Sequence, residues 1–196
     1  MGAVINTAKV PPGATVVVLG LGGVGLSVVQ GARLAGASRI IVSDPVVERR
    51  TAALGFGATD ALDPTDTDVA AAVHDLTAGI GADVAFDAAG HSALVNTGID
   101  AVRFGGTVVM VGMPRLDDPL TLGSATVFAA SEKKLLGCLL GSVNSLRDIP
   151  RLIELWRVGR LDLEALVTSR RPLAEVNDAL EDLRAARGIR TVLDVC

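Results

Sequence analysis

The run from Thr15 to Asp44 (TVVVLGLGGVGLSVVQGARLAGASRIIVSD) constrains the fold of this chain more than any other stretch. Thr15 to Leu19 is a β-branched run with no polar break, and Gly20, Gly22 and Gly25 follow it at the spacing GxGxxG. A helix-compatible segment, Val24 to Leu34, opens on the last glycine, and a second apolar run, Arg39 to Ser43, ends on Asp44. The order is strand, glycine turn, helix, strand. Gly20 permits a sharp turn out of the strand, Gly22 lets the main chain approach a pyrophosphate with no Cβ in the way, and Gly25 lets the helix pack closely on the strand. The unpaired N–H groups at the helix start, with the helix dipole behind them, attract phosphate.

Asp44 completes the pattern. A carboxylate about 20 residues beyond the glycines, at the end of the second strand, is placed to hydrogen-bond the adenosine ribose hydroxyls of a dinucleotide. It favours NAD over NADP, because a 2′-phosphate there meets a fixed negative charge. Arg49 and Arg50 lie just beyond and relieve part of that repulsion.

Strand and helix signals then alternate. Val46 to Leu54 reads as a helix, Asp60 to Leu62 as a short strand, Asp66 to Leu76 as a helix, Ala82 to Asp87 as a strand, the segment from His91 to Val102 as a helix, and Gly106 to Val111 as a fifth strand. Alternation at this rhythm gives an α/β fold, a doubly wound parallel sheet of the Rossmann type. Such sheets bind ligands at the carboxyl ends of their strands, where Gly20, Asp44, Asp87 and Gly112 fall. Asp87 is read either as a cap of the following helix or as a cofactor contact.

Past Pro114 the pattern changes to a C-terminal helical and strand extension. It comprises a polar loop, a short helix at Ser124 to Ala130, an apolar run at Lys134 to Leu140 that suits a sixth strand, and an amphipathic helix at Ser145 to Val158. Leu163 to Val167 follows, then a helix from Leu173 to Ala186 and a last strand from Arg190 to Val195. The chain opens on Met1 to Val10, whose helical apolar spacing stops at Pro11-Pro12-Gly13 and suits the tail of a helix begun upstream.

Composition narrows the function. A net charge of −4 and the lack of any zinc-finger or basic-region pattern exclude nucleic acid as the partner. Val10 to Ala32 carries no charge, but its glycines and its change from strand to helix mark a buried unit and not a membrane span. No secretory signal pattern is present, so a soluble cytoplasmic protein is expected. Cys138 and Cys196 are too few for a disulfide framework or a thiolate zinc site. His74 and His91 read as helix or surface residues, Trp156 with its Leu/Ile stripe as core or interface, Cys138 as a packed side chain, and Arg115, Arg170 and Arg171 as solvated.

Three segments taken together, GLGGVGLSVVQGARLAGASRIIVSD, VGMP (Val111 to Pro114) and RPLAEVNDALEDLRAARGIRTVLDV, closely resemble the medium-chain, zinc-dependent alcohol dehydrogenases. The resemblance covers nearly the whole chain and implies that it is the C-terminal, cofactor-binding part of such an enzyme. A catalytic domain carrying the zinc ligands precedes this part in the family. By resemblance, Gly20, Gly22, Gly23, Val24 and Gly25 line the pyrophosphate, Asp44 holds the adenosine ribose and Arg49 assists it. The main chain at Val111, Gly112 and Met113 and near Cys138 and Leu140 meets the nicotinamide carboxamide, Arg190 reaches the pyrophosphate, and His91 stands near the place of a family arginine. The resemblance also implies a dinucleotide-binding domain over 1–140 and a segment, 141–196, that packs against the catalytic domain.

The implied activity is oxidoreduction, hydride transfer between an alcohol or aldehyde and NAD. Zinc is expected for the full-length family, but no zinc ligand maps onto this chain, which implies that the chain alone is not catalytic and meets an alcohol or aldehyde only together with that domain. A homo-oligomer is expected, through the Lys134 to Leu140 strand or through the last strand, which lacks its usual neighbour. A non-catalytic NAD-binding module or redox sensor is the alternative. An S-adenosylmethionine methyltransferase is disfavoured by the full GxGxxG spacing and the C-terminal resemblance. A short-chain reductase is excluded, because it needs a catalytic tyrosine and the chain has none.

Overall fold

The structure is a computed structural model that describes residues 1–195; Cys196 lies outside the described residues. The chain divides into two units, residues 1–144 and 145–196.

The first unit is built on six parallel strands. These are β1 (Thr15–Leu19), β2 (Arg39–Ser43), β3 (Asp60–Leu62), β4 (Ala82–Asp87), β5 (Val102–Met110) and β6 (Lys134–Gly137), ordered β3-β2-β1-β4-β5-β6. Helices α1 (Gly23–Ala35), α2 (Val47–Phe56), α3 (Val69–Leu76), α4 (Ser92–Ala101) and α5 (Ala125–Ala130) alternate with them, after a single wide helical turn at Ala3–Ala8. The order reverses direction beside β1, as in a doubly wound dinucleotide-binding sheet. Val16, Val17, Val18 and Leu19 of β1 are buried on both faces, which is why that strand reads as an unbroken apolar run. Each fully buried aliphatic side chain contributes roughly 1.5–3 kcal/mol, and Phe86, Leu26, Ile40 and Ile41 extend the same core.

Element ends shift where side chains compete with the helix. Helix α3 begins at Val69, not Asp66, because the Asp68 carboxylate accepts the Ala71 N–H at 3.0 Å and caps it. Strand β5 starts at Val102, ahead of the expected Gly106. The pairing register with β4 shifts there, and Gly105 at φ +71° lets the strand bend without ending. Strand β6 ends at Gly137, and Leu140 belongs to the turn that follows.

The second unit contains α6 (Ser145–Arg157), β7 (Ser169–Pro172), α7 (Val176–Arg184) and β8 (Thr191–Asp194). Here two expectations are corrected. Strand β8 does have a neighbour: it pairs in parallel with β7, Ser169 opposite Thr191 and Pro172 opposite Asp194. Arg171 is not simply solvated, since its guanidinium meets Asp182 at 2.5 Å and Glu175 at 3.2 Å. Ser-Arg-Arg-Pro contains no apolar residue, so nothing in its pattern reads as a strand. Trp156 is partly exposed and donates its indole N–H to Glu164 at 2.8 Å. Among the described residues no helix is long and apolar enough to cross a membrane.

Candidate functional site

One rung of the sheet sets the site. Ser43, Leu19, Asp87, Met110 and Gly137 stand side by side across β2, β1, β4, β5 and β6. The residues that follow them, Asp44, Gly20, Ala88, Val111 and Cys138, therefore leave the sheet along one edge. Parallel pairing thus brings together segments far apart in sequence.

The glycine turn divides into two kinds of glycine. Gly20 takes φ +91°, and a Cβ there would lie 2.8 Å from the Ala89 Cβ; a Cβ on Gly25 would lie 1.9 Å from the Gly20 carbonyl oxygen. Both are required by the packing of the chain itself. Gly22 is different: at φ −71° and ψ −169° its backbone suits any residue, and a Cβ would meet nothing within 4 Å. Gly22 is the N-cap of α1, and no side chain caps that end. The N–H groups of Gly23, Val24 and Gly25 consequently lack intrahelical acceptors beside this open space, and the first turn carries no acid to compete with an anion. The Val24 side chain is half exposed.

Asp44 is buried and already engaged. Its Oδ2 accepts the Leu21 N–H at 2.7 Å and its Oδ1 accepts the Val46 N–H at 2.9 Å. The carboxylate thus pins the glycine turn to the end of β2. Arg49 lies 3.9 Å from Asp44 Oδ2. Arg50 turns elsewhere, donating to the Asp44 main-chain oxygen at 2.6 Å and pairing with Asp63 at 2.7 Å. Hydrogen bonds from Thr65, with the Arg50 guanidinium adding to them, hold the Asp63 carboxyl below the usual carboxylate range.

On the other side of β1 the centre is Asp87, fully buried. Its Oδ1 accepts the N–H groups of Ala89 and Gly90 at 3.1 and 2.9 Å, while its main-chain oxygen accepts those of Val111 and Gly112, each at 2.9 Å. Asp87 Oδ2 has no hydrogen-bond partner among the described residues. Desolvation pushes this carboxyl above its ordinary range against the pull of those N–H groups. Asp87 does not cap α4, whose N-cap is His91; it braces the turn before that helix.

Met113 is exposed, and the Cys138 N–H donates to the Met110 oxygen at 3.0 Å, so Val111, Gly112, Met113 and Cys138 meet at the ends of neighbouring strands. The Cys138 side chain is buried and accepts the Thr7 hydroxyl at 3.3 Å. Leu140 is exposed in the turn after it, at φ +49°. Arg190 belongs to the second unit, where its main chain bonds Thr168: its N–H reaches the hydroxyl at 3.3 Å and its oxygen accepts the Thr168 N–H at 2.9 Å. His74 places Nε2 2.9 Å from the Asp100 oxygen, among the helix ends of the opposite edge.

Sequence reasoning passed over Ala89 and Gly90 as site residues. Gly90 sits at φ +81°, and a Cβ on Gly112 would lie 2.1 Å from its nitrogen. The available signal was an acid ending a strand with glycine three residues later.

The zinc-binding dehydrogenase family model matches residues 23–156. The chain is 40% identical over 183 residues to an NDMA-dependent alcohol dehydrogenase of Amycolatopsis methanolica, covering 92% of this chain and 49% of that protein. It is 38% identical over 195 residues to the alcohol dehydrogenase class-2 isozyme 2 of Oryctolagus cuniculus, covering 98% and 50%. The solved structure of benzyl alcohol dehydrogenase from Acinetobacter calcoaceticus superposes with a TM-score of 0.95 at 30% identity, over 100% of this chain and 53% of that one. The chain spans about half the length of these relatives. With a Rossmann-type sheet and a family match over most of its length, this chain belongs to the zinc-binding dehydrogenases.

Proposed function

We propose that this chain is the NAD(H)-binding half of an alcohol dehydrogenase. The observation that carries the reading is Gly22. Neither its backbone angles nor its surroundings call for glycine, yet it stands at the open start of α1, where a pyrophosphate would fill the space a Cβ would take. Asp44, at the end of β2, is the acid that would meet the ribose hydroxyls, and Arg49 lies beside it. A bound NAD supplies a hydride acceptor at its nicotinamide ring; the residues of this chain bind and orient it. Because the adenosine side lies over β2, the dinucleotide runs across β1 toward the ends of β4 and β5, where Val111, Gly112 and Met113 lie, with Cys138 and Leu140 beyond β6.

Zinc is another matter. Among the described residues no group of three or more His, Cys, Asp or Glu could hold a metal ion. The described residues do not fit zinc. Oxidation of an alcohol by this chain therefore depends on a catalytic domain. Residues 141–196 are the segment proposed to pack against it, and α6 offers the exposed Leu146, Ile149, Ile153 and Trp156 for that purpose. The protein is proposed to be cytoplasmic and homo-oligomeric through the edge strand β6, for which sedimentation at high concentration is the check: a monodisperse monomer counts against it.

The test of the cofactor reading is a calorimetric titration of the chain with NAD, NADP and S-adenosylmethionine in parallel. NAD binding, tighter than NADP and without S-adenosylmethionine binding, is expected. Binding of S-adenosylmethionine alone, or of none of the three, overturns the reading.

A further inference from the structure

We propose that Asp87 is a positioning residue of the cleft, a lock that sets the spacing between the turn that receives the pyrophosphate and the turn beneath the nicotinamide half. The inference rests on the NAD reading above. Its starting point is a buried group that the cofactor reading leaves unused. Asp87 is fully buried, and its Oδ2 has no hydrogen-bond partner among the described residues. An orphaned carboxylate oxygen in a protein interior is costly, and one that is kept calls for a reason beyond stability.

The geometry supplies the reason. Through Oδ1 the residue holds the Ala89 and Gly90 N–H groups, and through its main-chain oxygen it holds those of Val111 and Gly112. One residue therefore ties the turn after β4 to the turn after β5. These turns are in backbone contact: a Cβ on Gly90 would lie 2.6 Å from the Met113 oxygen, and one on Gly112 would lie 2.1 Å from the Gly90 nitrogen. Ala89 in turn is the wall against which Gly20 packs, with 2.8 Å between its Cβ and the Cβ that Gly20 lacks. A shift of residues 88–90 would reach both the glycine turn and Val111–Met113. Nothing in the lock touches Asp44, whose carboxylate is held by Leu21 and Val46.

That separation makes the lock testable with ligands of different length. A dinucleotide spans the glycine turn and the β5 side, so its affinity depends on the spacing between them; AMP reaches the Asp44 side and the glycine turn but not the β5 side, and senses the lock only through the contact of Ala89 with Gly20. Two variants, Asp87→Ala and Asp87→Asn, are made in the full chain, their folding is checked by circular dichroism and thermal melting, and NAD and AMP are titrated by calorimetry. Asp87→Ala leaves the buried Gly90 N–H and the partly buried Ala89 N–H unpaired and is expected to weaken NAD roughly tenfold, the scale of one lost buried hydrogen bond, with AMP weakened far less. Asp87→Asn keeps an oxygen for Ala89 and Gly90 and is expected to restore most of the NAD affinity.

Equal losses for NAD and AMP, no loss in Asp87→Ala, or an Asp87→Asn variant as weak as Asp87→Ala would each overturn the lock while leaving the cofactor reading standing. A parent chain that binds neither ligand overturns the cofactor reading itself. If Asp87→Ala does not fold, amide exchange in the unaltered chain decides. NAD should slow exchange at Ala89, Gly90, Val111 and Gly112 more than saturating AMP does, and equal protection by the two overturns the lock.

Discussion

The Asp44 carboxylate accepts the Leu21 N–H at 2.7 Å, so the acid that ends the second strand is bonded directly to the glycine turn at the end of the first. The same side chain that would bind ribose hydroxyls also fixes the turn that would hold the pyrophosphate. Removing it should therefore affect both fold and ligand. Asp44→Ala strands the buried N–H of Leu21 and the partly buried N–H of Val46, and a loss of about 1–3 kcal/mol in unfolding free energy is expected. In the same variant NAD binding should weaken and the gap between NAD and NADP should narrow, since the charge opposing a 2′-phosphate is gone while Arg49 remains. Urea denaturation and parallel titrations measure the two effects; an unchanged NAD to NADP ratio would remove the ribose role.

Gly22 and Gly25 should separate folding from binding. Gly22→Ala adds a Cβ into open space on an allowed backbone and should shift stability by no more than about 0.5 kcal/mol, yet NAD binding should be lost or greatly weakened. Gly25→Ala forces a Cβ onto the Gly20 carbonyl and should cost at least about 1–3 kcal/mol. Thermal melting with and without NAD distinguishes them. A Gly22→Ala variant that binds NAD normally would remove the observation on which the cofactor reading chiefly rests.

Asp87 also predicts a pH dependence of stability with a definite sign. Its carboxyl is raised above the ordinary carboxylate range by burial, opposed by the N–H groups of Gly90, Ala89 and His91 and by the nearby His91 charge. The native state therefore holds the proton more tightly than the unfolded chain does. The stabilisation is fully present below the unfolded-state value and is lost as pH rises through the native one. Urea denaturation from about pH 3.8 upward should show this decline in the parent chain relative to Asp87→Asn, with His91→Gln as the control for its neighbour. Parallel curves for parent and Asp87→Asn would show that the carboxyl does not titrate in that window.

Gly112→Ala tests the contact between the two turns. Its Cβ would fall 2.1 Å from the Gly90 nitrogen, too close for any rotamer change to relieve. The backbone of one turn must move, and both stability and NAD affinity should drop. Unaltered melting and affinity together would mean the turns are not held as described.

The first βαβ unit was readable because its signals are local. A β-branched run, glycines at fixed spacing and an acid at the end of the next strand each act within a few residues, and β1, β2 and β4 fall where the pattern puts them. Where one local signal competes with another, the boundaries moved. Asp68 captures the Ala71 N–H and delays α3, while Gly105, just ahead of the strand expected from Gly106, forms a bend within β5. Strand β7 was invisible for another reason. Ser169, Arg170, Arg171 and Pro172 gain strand geometry from pairing with β8 some twenty residues on, a partnership that leaves no periodic mark.

By itself, then, the sequence determined the parallel α/β sheet, the glycine turn and the acid beside it, because hydrophobic period and glycine's freedom from Cβ operate along the chain. Only the tertiary structure decided that Asp44 bonds Leu21, that Gly20 needs the space beside Ala89 while Gly22 does not, and that Asp87 joins two turns it precedes by different distances. Those are relations between segments that sequence separates and the sheet register brings into line. Which glycine serves the fold and which is left for a ligand depends on what stands opposite it across that edge.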